Sequence, residues 1–155
     1  MGGGFTVTNL VVVSSTQITA TFVIPSTGTL GTVNITVTTP GGTTNAVAFN
    51  VLPPPPSITA VTSPFRIGRN QGVTLQGASL TGANDITAIQ LLQNGIAVPA
   101  ASLGFQAGSF QIGATQLRWS WTLAATLPAS SATNVYTMTV TTPSGTSAPF
   151  GVTLQ

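Results

Sequence analysis

Very few side chains in this sequence could do chemistry, and they stand far apart. Arg66, Arg69, Asp85 and Arg118 are the whole charged set of the 155 residues; Lys, Glu, His and Cys are absent. General acid–base catalysis needs groups that titrate near neutrality, usually His or paired carboxylates, and one Asp cannot supply them. A Ser or Thr nucleophile would have no His or Lys to activate it. The chain is therefore not expected to be an enzyme or to hold a cofactor. Calcium takes several oxygen ligands, commonly from more than one carboxylate, and Asp85 stands alone in GANDIT. No metal site is expected, and Asp85 is read as an Asx-type turn between strands.

Two other groups invite a binding role. Trp119 and Trp121 lie at i and i+2, share one face of a strand, and could form a platform for a sugar ring. Leu117 and Leu123 continue the same spacing, which assigns the pair to a core. Arg66 and Arg69 flank Ile67-Gly68 on an expected loop and form a candidate partner-contact loop, able to hold an anion or a carboxylate. Three scattered arginines and a net charge of +2 make only a weak field, so nucleic acid is not an expected partner. Apolar runs such as Leu10 to Val13 stop far short of the roughly 18–20 residues a membrane helix requires, and no membrane insertion is expected.

The elements that would position these groups read as β throughout. A hydrophobic content of 42% argues for a folded chain. Val33, Ile35 and Val37 alternate with Asn34, Thr36 and Thr38, the two-residue period of a half-buried strand. Pro40, Gly41 and Gly42 end that strand in a turn, and the next run is expected to place Val47, Phe49 and Val51 inward. Pro53 to Pro56 cannot donate ladder hydrogen bonds and form an extended linker of about 3.1 Å per residue, expected to hold two modules at a fixed spacing. Asn94-Gly95 predicts a two-residue hairpin turn.

The phrase TVTTPGGTT at Thr36 returns as TVTTPSGTS at Thr139, 103 residues later. With that offset Val33, Ile35 and Val37 fall on Tyr136, Met138 and Val140, and Val47, Phe49 and Val51 fall on Phe150, Val152 and Leu154. One strand earlier the offset is 99, and Ala20, Phe22 and Ile24 match Trp119, Trp121 and Leu123. A period near 100 residues is the length of an antiparallel sandwich of the immunoglobulin kind. Only 35 residues precede the first copy of the phrase, so the chain is expected to open in the middle of a domain. The predicted fold is all-β: tandem immunoglobulin-like β-sandwiches, the first incomplete at its N-terminus. Residues 1–52 are a partial module with later strands only, 53–56 the polyproline linker, and 57–155 a complete sandwich.

PSITAVTSPFRIGRNQGVTLQGASL resembles the IPT/TIG group of immunoglobulin-like domains found in tandem on bacterial surface proteins. Ile58 and Val61 match its first strand, Gly68 and Gly72 the turn, and Val73-Thr74-Leu75-x-Gly77 its second strand; TVTTPSGTS with FGVTL matches the closing pair. The resemblance covers Pro56 to Gln155 as a whole module and Phe5 to Leu52 as the later half of another. It implies fold and tandem habit, and no basic loop surface is present for the DNA-binding branch of the group.

These readings converge on a non-catalytic extracellular or cell-surface structural module. Without Lys, its edge strands lack the usual block to pairing. Phe5, Val7, Ile18, Phe22, Val37 and Phe49 would form an uncovered apolar face, completed by strands of a neighbouring copy in a filament or surface array. The expected partners are other copies of the chain or neighbouring domains of one surface protein. An adhesive or glycan-binding module of a larger surface protein is the alternative.

Overall fold

The computed structural model describes residues 4–25, 28–62 and 64–155, and the chain divides into two compact units, Met1–Pro53 and Pro54–Gln155. Both are β. In the first, β1 (Thr6–Ser14) and β2 (Gln17–Val23) form an antiparallel hairpin, with Val12 opposite Ile18 and Val7 opposite Phe22. The ladder shifts between Thr8 and Val11, where Asn9 takes a left-handed φ of 52°, a conformation Asn tolerates better than most residues. After β3 (Gly31–Ile35), the short strands β4 (Thr38–Thr39) and β5 (Gly42–Thr43) make the tight turn the sequence predicts. Then β6 (Val47–Val51) returns to pair with β3.

The described residues of the second unit form nine strands in two sheets. One sheet is built from β7 (Ser57–Val61), β8 (Asn70–Ala78), β11 (Gln111–Ile112) and β12 (Gln116–Thr122), in the order β11-β12-β8-β7. The other is centred on β13 (Tyr136–Thr142). On one side it pairs with β9 (Ile89–Gln93), which in turn pairs with β10 (Ile96–Ala97); β14 (Gly145–Thr146) and β15 (Phe150–Val152) also pair with β13. Alternate residues of both sheets form a single core: Val73, Leu75, Leu117, Trp119 and Trp121 from the first, and Leu91, Tyr136, Met138 and Val140 from the second.

Two local departures have simple causes. Gly72 lies inside β8 rather than in the turn before it; Gly68, with φ 72°, supplies the left-handed turn residue instead. Ile58 and Val61, three residues apart, both pack on the core although a regular strand repeats every two residues. A ladder shift resolves this: Ile58 faces Gly77 and Ala60 faces Gln76, so Thr59 is an extra residue that resets the alternation.

The Asn94-Gly95 turn forms as its chemistry requires, with φ values of 53° and 80° and Gln93 opposite Ile96. The Asn94 side chain also reaches across to the next strand, donating to the Thr133 carbonyl at 2.8 Å and accepting from the Val135 N–H at 2.9 Å. Gly95→Ala should cost the second unit about 1 kcal/mol, because alanine resists positive φ. The urea midpoint followed by tryptophan fluorescence checks this, since both tryptophans lie in that unit.

Candidate functional site

The repeated phrase builds the same turn twice, with its main hydrogen bonds in common. In the first unit the Val37 N–H donates to Thr44 Oγ1 at 3.0 Å and the Thr44 N–H to the Val37 carbonyl at 2.9 Å. In the second, the Val140 N–H donates to Ser147 Oγ at 3.1 Å and the Ser147 N–H to the Val140 carbonyl at 2.8 Å. The hydroxyl pair Thr38–Thr43, at 3.0 Å, recurs as Thr141–Thr146 at 3.0 Å, and Gly42 and Gly145 share a φ of 129°. The offset of 103 also carries the strand register across, since Val33 faces Phe49 as Tyr136 faces Val152. The offset of 99 maps β2 onto β12 from end to end.

Equivalent positions meet opposite environments. Trp121 is 0% exposed and its counterpart Phe22 is 39% exposed; Val152 is 8% exposed and its counterpart Phe49 is 43% exposed. Leu117 and Leu123 are fully buried, whereas Ile18 and Ile24 are exposed. The difference lies in what covers them, since in the second unit β8 and β9 flank β12 and β13. Every ladder described for β1 to β6 runs within that set alone.

Of the six residues expected to form the uncovered face, Phe22 and Phe49 stack at 6.3 Å with an interplanar angle of 18°. Ile18 is exposed with them, while Phe5, Val7 and Val37 are half-buried. Val47, Phe49 and Val51 share one face of β6, as their alternation predicts, but only Val51 is buried; Val47 is 68% exposed. Leu10, Val11, Val12 and Val13 are also exposed, so both faces of this part of β1 are uncovered. Their signal in the sequence was an unbroken apolar run, which is too short for a membrane span and too continuous for a strand with a wet face.

Trp119 and Trp121 are buried and stack edge to face at 5.7 Å, and Phe65 meets Trp121 at 4.9 Å in the same manner, which leaves no surface platform for a sugar. Arg66 and Arg69 are exposed on a loop whose backbone is anchored: the Arg66 N–H donates to Gln71 Oε1 at 2.9 Å and the Gly68 N–H to the Leu123 carbonyl at 2.8 Å. Asp85 caps the short 3-10 turn Ile86–Ala88, accepting from the Thr87 N–H at 2.7 Å and from the Thr87 hydroxyl. A polar groove of about 270 Å³ lies beside it, lined by Asn84, Thr87, Thr141 and Pro143 among others. Among the described residues no cluster of three potential metal ligands occurs, and no helix is long and apolar enough to cross a membrane.

The Thr87 hydroxyl, and then the Thr87 N–H, hold the Asp85 carboxyl below its ordinary value. That contribution is present above the unfolded carboxylate pKa and is lost as pH falls through the lowered one. Burial raises the Tyr136 phenol, whose contribution is present below its unfolded pKa and is lost as pH rises through the raised one. With no His to titrate between them, the melting temperature of the second unit should be flat from about pH 5 to pH 9. Thermal melts across that range check this.

Comparison of the chain with protein-family models, curated protein sequences and solved structures returns no match, so its assignment rests on its own residues.

Proposed function

We propose that this chain is a non-catalytic extracellular structural module of the IPT/TIG immunoglobulin-like kind, a self-assembling subunit of a filament or surface array whose first unit is completed by a neighbouring copy. One observation carries the assembly reading: apolar positions buried in the second unit are exposed at their equivalents in the first, in the same strand register. Burying such a side chain from full exposure is worth roughly 1.5–3 kcal/mol; Phe22 and Phe49 are 39% and 43% exposed, so a partner that covers them gains about 1 kcal/mol from each.

Three features support the immunoglobulin-like part. The sheet order β7-β8-β12-β11 matches the A-B-E-D sheet of that fold, and β9-β13-β15 matches C-F-G. Tyr136, at the start of β13, donates its hydroxyl to the Pro128 carbonyl at 2.8 Å, an upstream backbone bond of the tyrosine-corner type. A tryptophan pair fills the core between the sheets. On that mapping the first unit holds D, E, F and G strands without A, B or C.

Sedimentation and negative-stain microscopy of the purified chain test the proposal. Assemblies of defined size or regular particles are expected. A monomer at all concentrations, with saturable binding on a glycan array, would favour the adhesive alternative.

A further inference from the structure

Asn94 is the one asparagine of this chain that precedes a glycine, and that pairing is chemically labile as well as turn-forming. The backbone nitrogen of Gly95 can attack Cγ, the carbonyl carbon of the Asn94 side chain. A C–N bond forms, the side-chain nitrogen leaves as ammonia with the proton of the Gly95 amide, and a cyclic imide results. Water then opens the imide at one of its two carbonyls, giving aspartate or isoaspartate. Overall one water is consumed and one ammonia released, with no change of oxidation state.

Access favours the attack. Gly95 has no side chain to crowd its nitrogen, nothing stands within 4 Å of where a Cβ would project, and both residues are exposed to water. Backbone conformation opposes it. Closing the imide ring requires the Asn94 Cβ and the Gly95 nitrogen to eclipse one another about the Cα–C bond. With φ 53° and the ψ of about +47° that belongs to the left-handed region, the two atoms lie on opposite sides of that bond.

The side chain is restrained as well. Asn94 Nδ2 donates to the Thr133 carbonyl at 2.8 Å, and Oδ1 accepts from the Val135 N–H at 2.9 Å, so both ends of the reactive amide are tied to the segment entering β13. The Asn94 N–H adds a bond to the Val135 carbonyl at 2.8 Å, and Gln93 Nε2 donates to Asn134 Oδ1 at 3.0 Å beside it. The receiving loop is itself braced, since the Asn134 N–H donates to Ser131 Oγ at 3.1 Å.

We propose that Asn94 is a deamidation site held shut by its own hairpin turn and by these bonds, so that it converts only when the turn opens. The product does not refit. Aspartate has no N–H to give the Thr133 carbonyl, and isoaspartate adds a carbon to the backbone between Gln93 and Ile96, whose pairing the two-residue turn sets. Conversion also adds a second acidic side chain to a chain whose only one is Asp85. The change is irreversible, records past opening of the hairpin, and is independent of whether copies assemble.

The test follows the full chain in mildly alkaline buffer by peptide mass mapping, with isoaspartate counted by enzymatic methylation. Conversion at Asn94 should run at least about tenfold slower in the folded chain than in the same chain unfolded in urea, since the turn and two side-chain bonds must open together first. In urea, Gly95→Ala should slow the reaction, which identifies the attacking nitrogen. Val135→Pro deletes the N–H that holds Oδ1, and Gln93→Ala deletes the neighbouring tie to Asn134. Each should speed conversion in the folded chain, with tryptophan emission reporting an intact core, and Gln93→Ala carries the test if Val135→Pro fails to fold. The purified converted chain should show faster amide exchange over residues 93–97 than its parent.

Equal rates in the folded and unfolded chains overturn the proposal, as does faster conversion in the folded one. Failure of Asn94 to convert in urea removes the site altogether. Variants that fold, lack these bonds and convert no faster also overturn it.

Discussion

Replacing Trp121 with Ala is expected to destabilise the second unit by about 3–5 kcal/mol, the usual cost of truncating a buried large aromatic. The indole is wholly buried and contacts three rings, Phe65 at 4.9 Å, Trp119 at 5.7 Å and Phe105 at 5.8 Å, so its loss leaves a cavity bounded by groups from separate segments. Phe65 is itself tied to the end of the chain, and Phe105 bridges to Trp121 through the backbone, which limits how far the walls can collapse. Chemical denaturation followed by Trp119 emission measures the loss. In the unassembled chain, Phe22→Ala at the equivalent position of the first unit should cost far less, about 1 kcal/mol, since a half-exposed ring surrenders less burial. Equal effects at the two sites would contradict the difference in covering.

Gly77→Ala should be nearly as damaging, at about 3 kcal/mol, although it adds a single methyl group. A Cβ at this position would overlap the Ser57 carbonyl oxygen, which belongs to the backbone of β7 and cannot rotate away. The ladder shift at Thr59 adjoins this contact, so moving β7 away to relieve the clash would disturb the bulge. Loss of the bulge would turn either Ile58 or Val61 off the core. Faster amide exchange along β7, together with a lowered denaturation midpoint, is the expected signature; unchanged exchange would mean that the strands can separate slightly at no cost.

The parts of this fold legible in the sequence are those that local chemistry decides. Asn94-Gly95 accepts two positive φ values in succession, and few other pairs do, so the hairpin was readable from two letters. The repeated TVTTP phrase predicts a repeated turn, and Thr or Ser at its last position serves equally because only the side-chain oxygen is used. The core role of Trp119 and Trp121 followed from their two-residue spacing with leucines. The exposure of Val47 was not legible from its alternation, because alternation reports which face a side chain takes and not whether another layer covers that face. The bulge at Thr59 escaped for a different reason: it is set by pairing with β8, and nothing in the letters of β7 marks it.

The end of the chain pairs in parallel with an early segment. Phe65 bridges to Leu154, and three bonds join the two stretches: the Phe65 N–H to the Thr153 carbonyl at 2.7 Å, the Ile67 N–H to the Gln155 carbonyl at 2.8 Å, and the Gln155 N–H to the Phe65 carbonyl at 2.8 Å. Parallel stretches near opposite ends of a unit have a mechanical consequence. A pull applied through Pro54 and Gln155 slides them along each other, so the three bonds bear the load together, whereas a hairpin pulled open at its free end yields one bond at a time. Rupture then requires several bonds to fail at once, which slows forced unfolding. The second unit is thus wired to bear tension along the line of the chain.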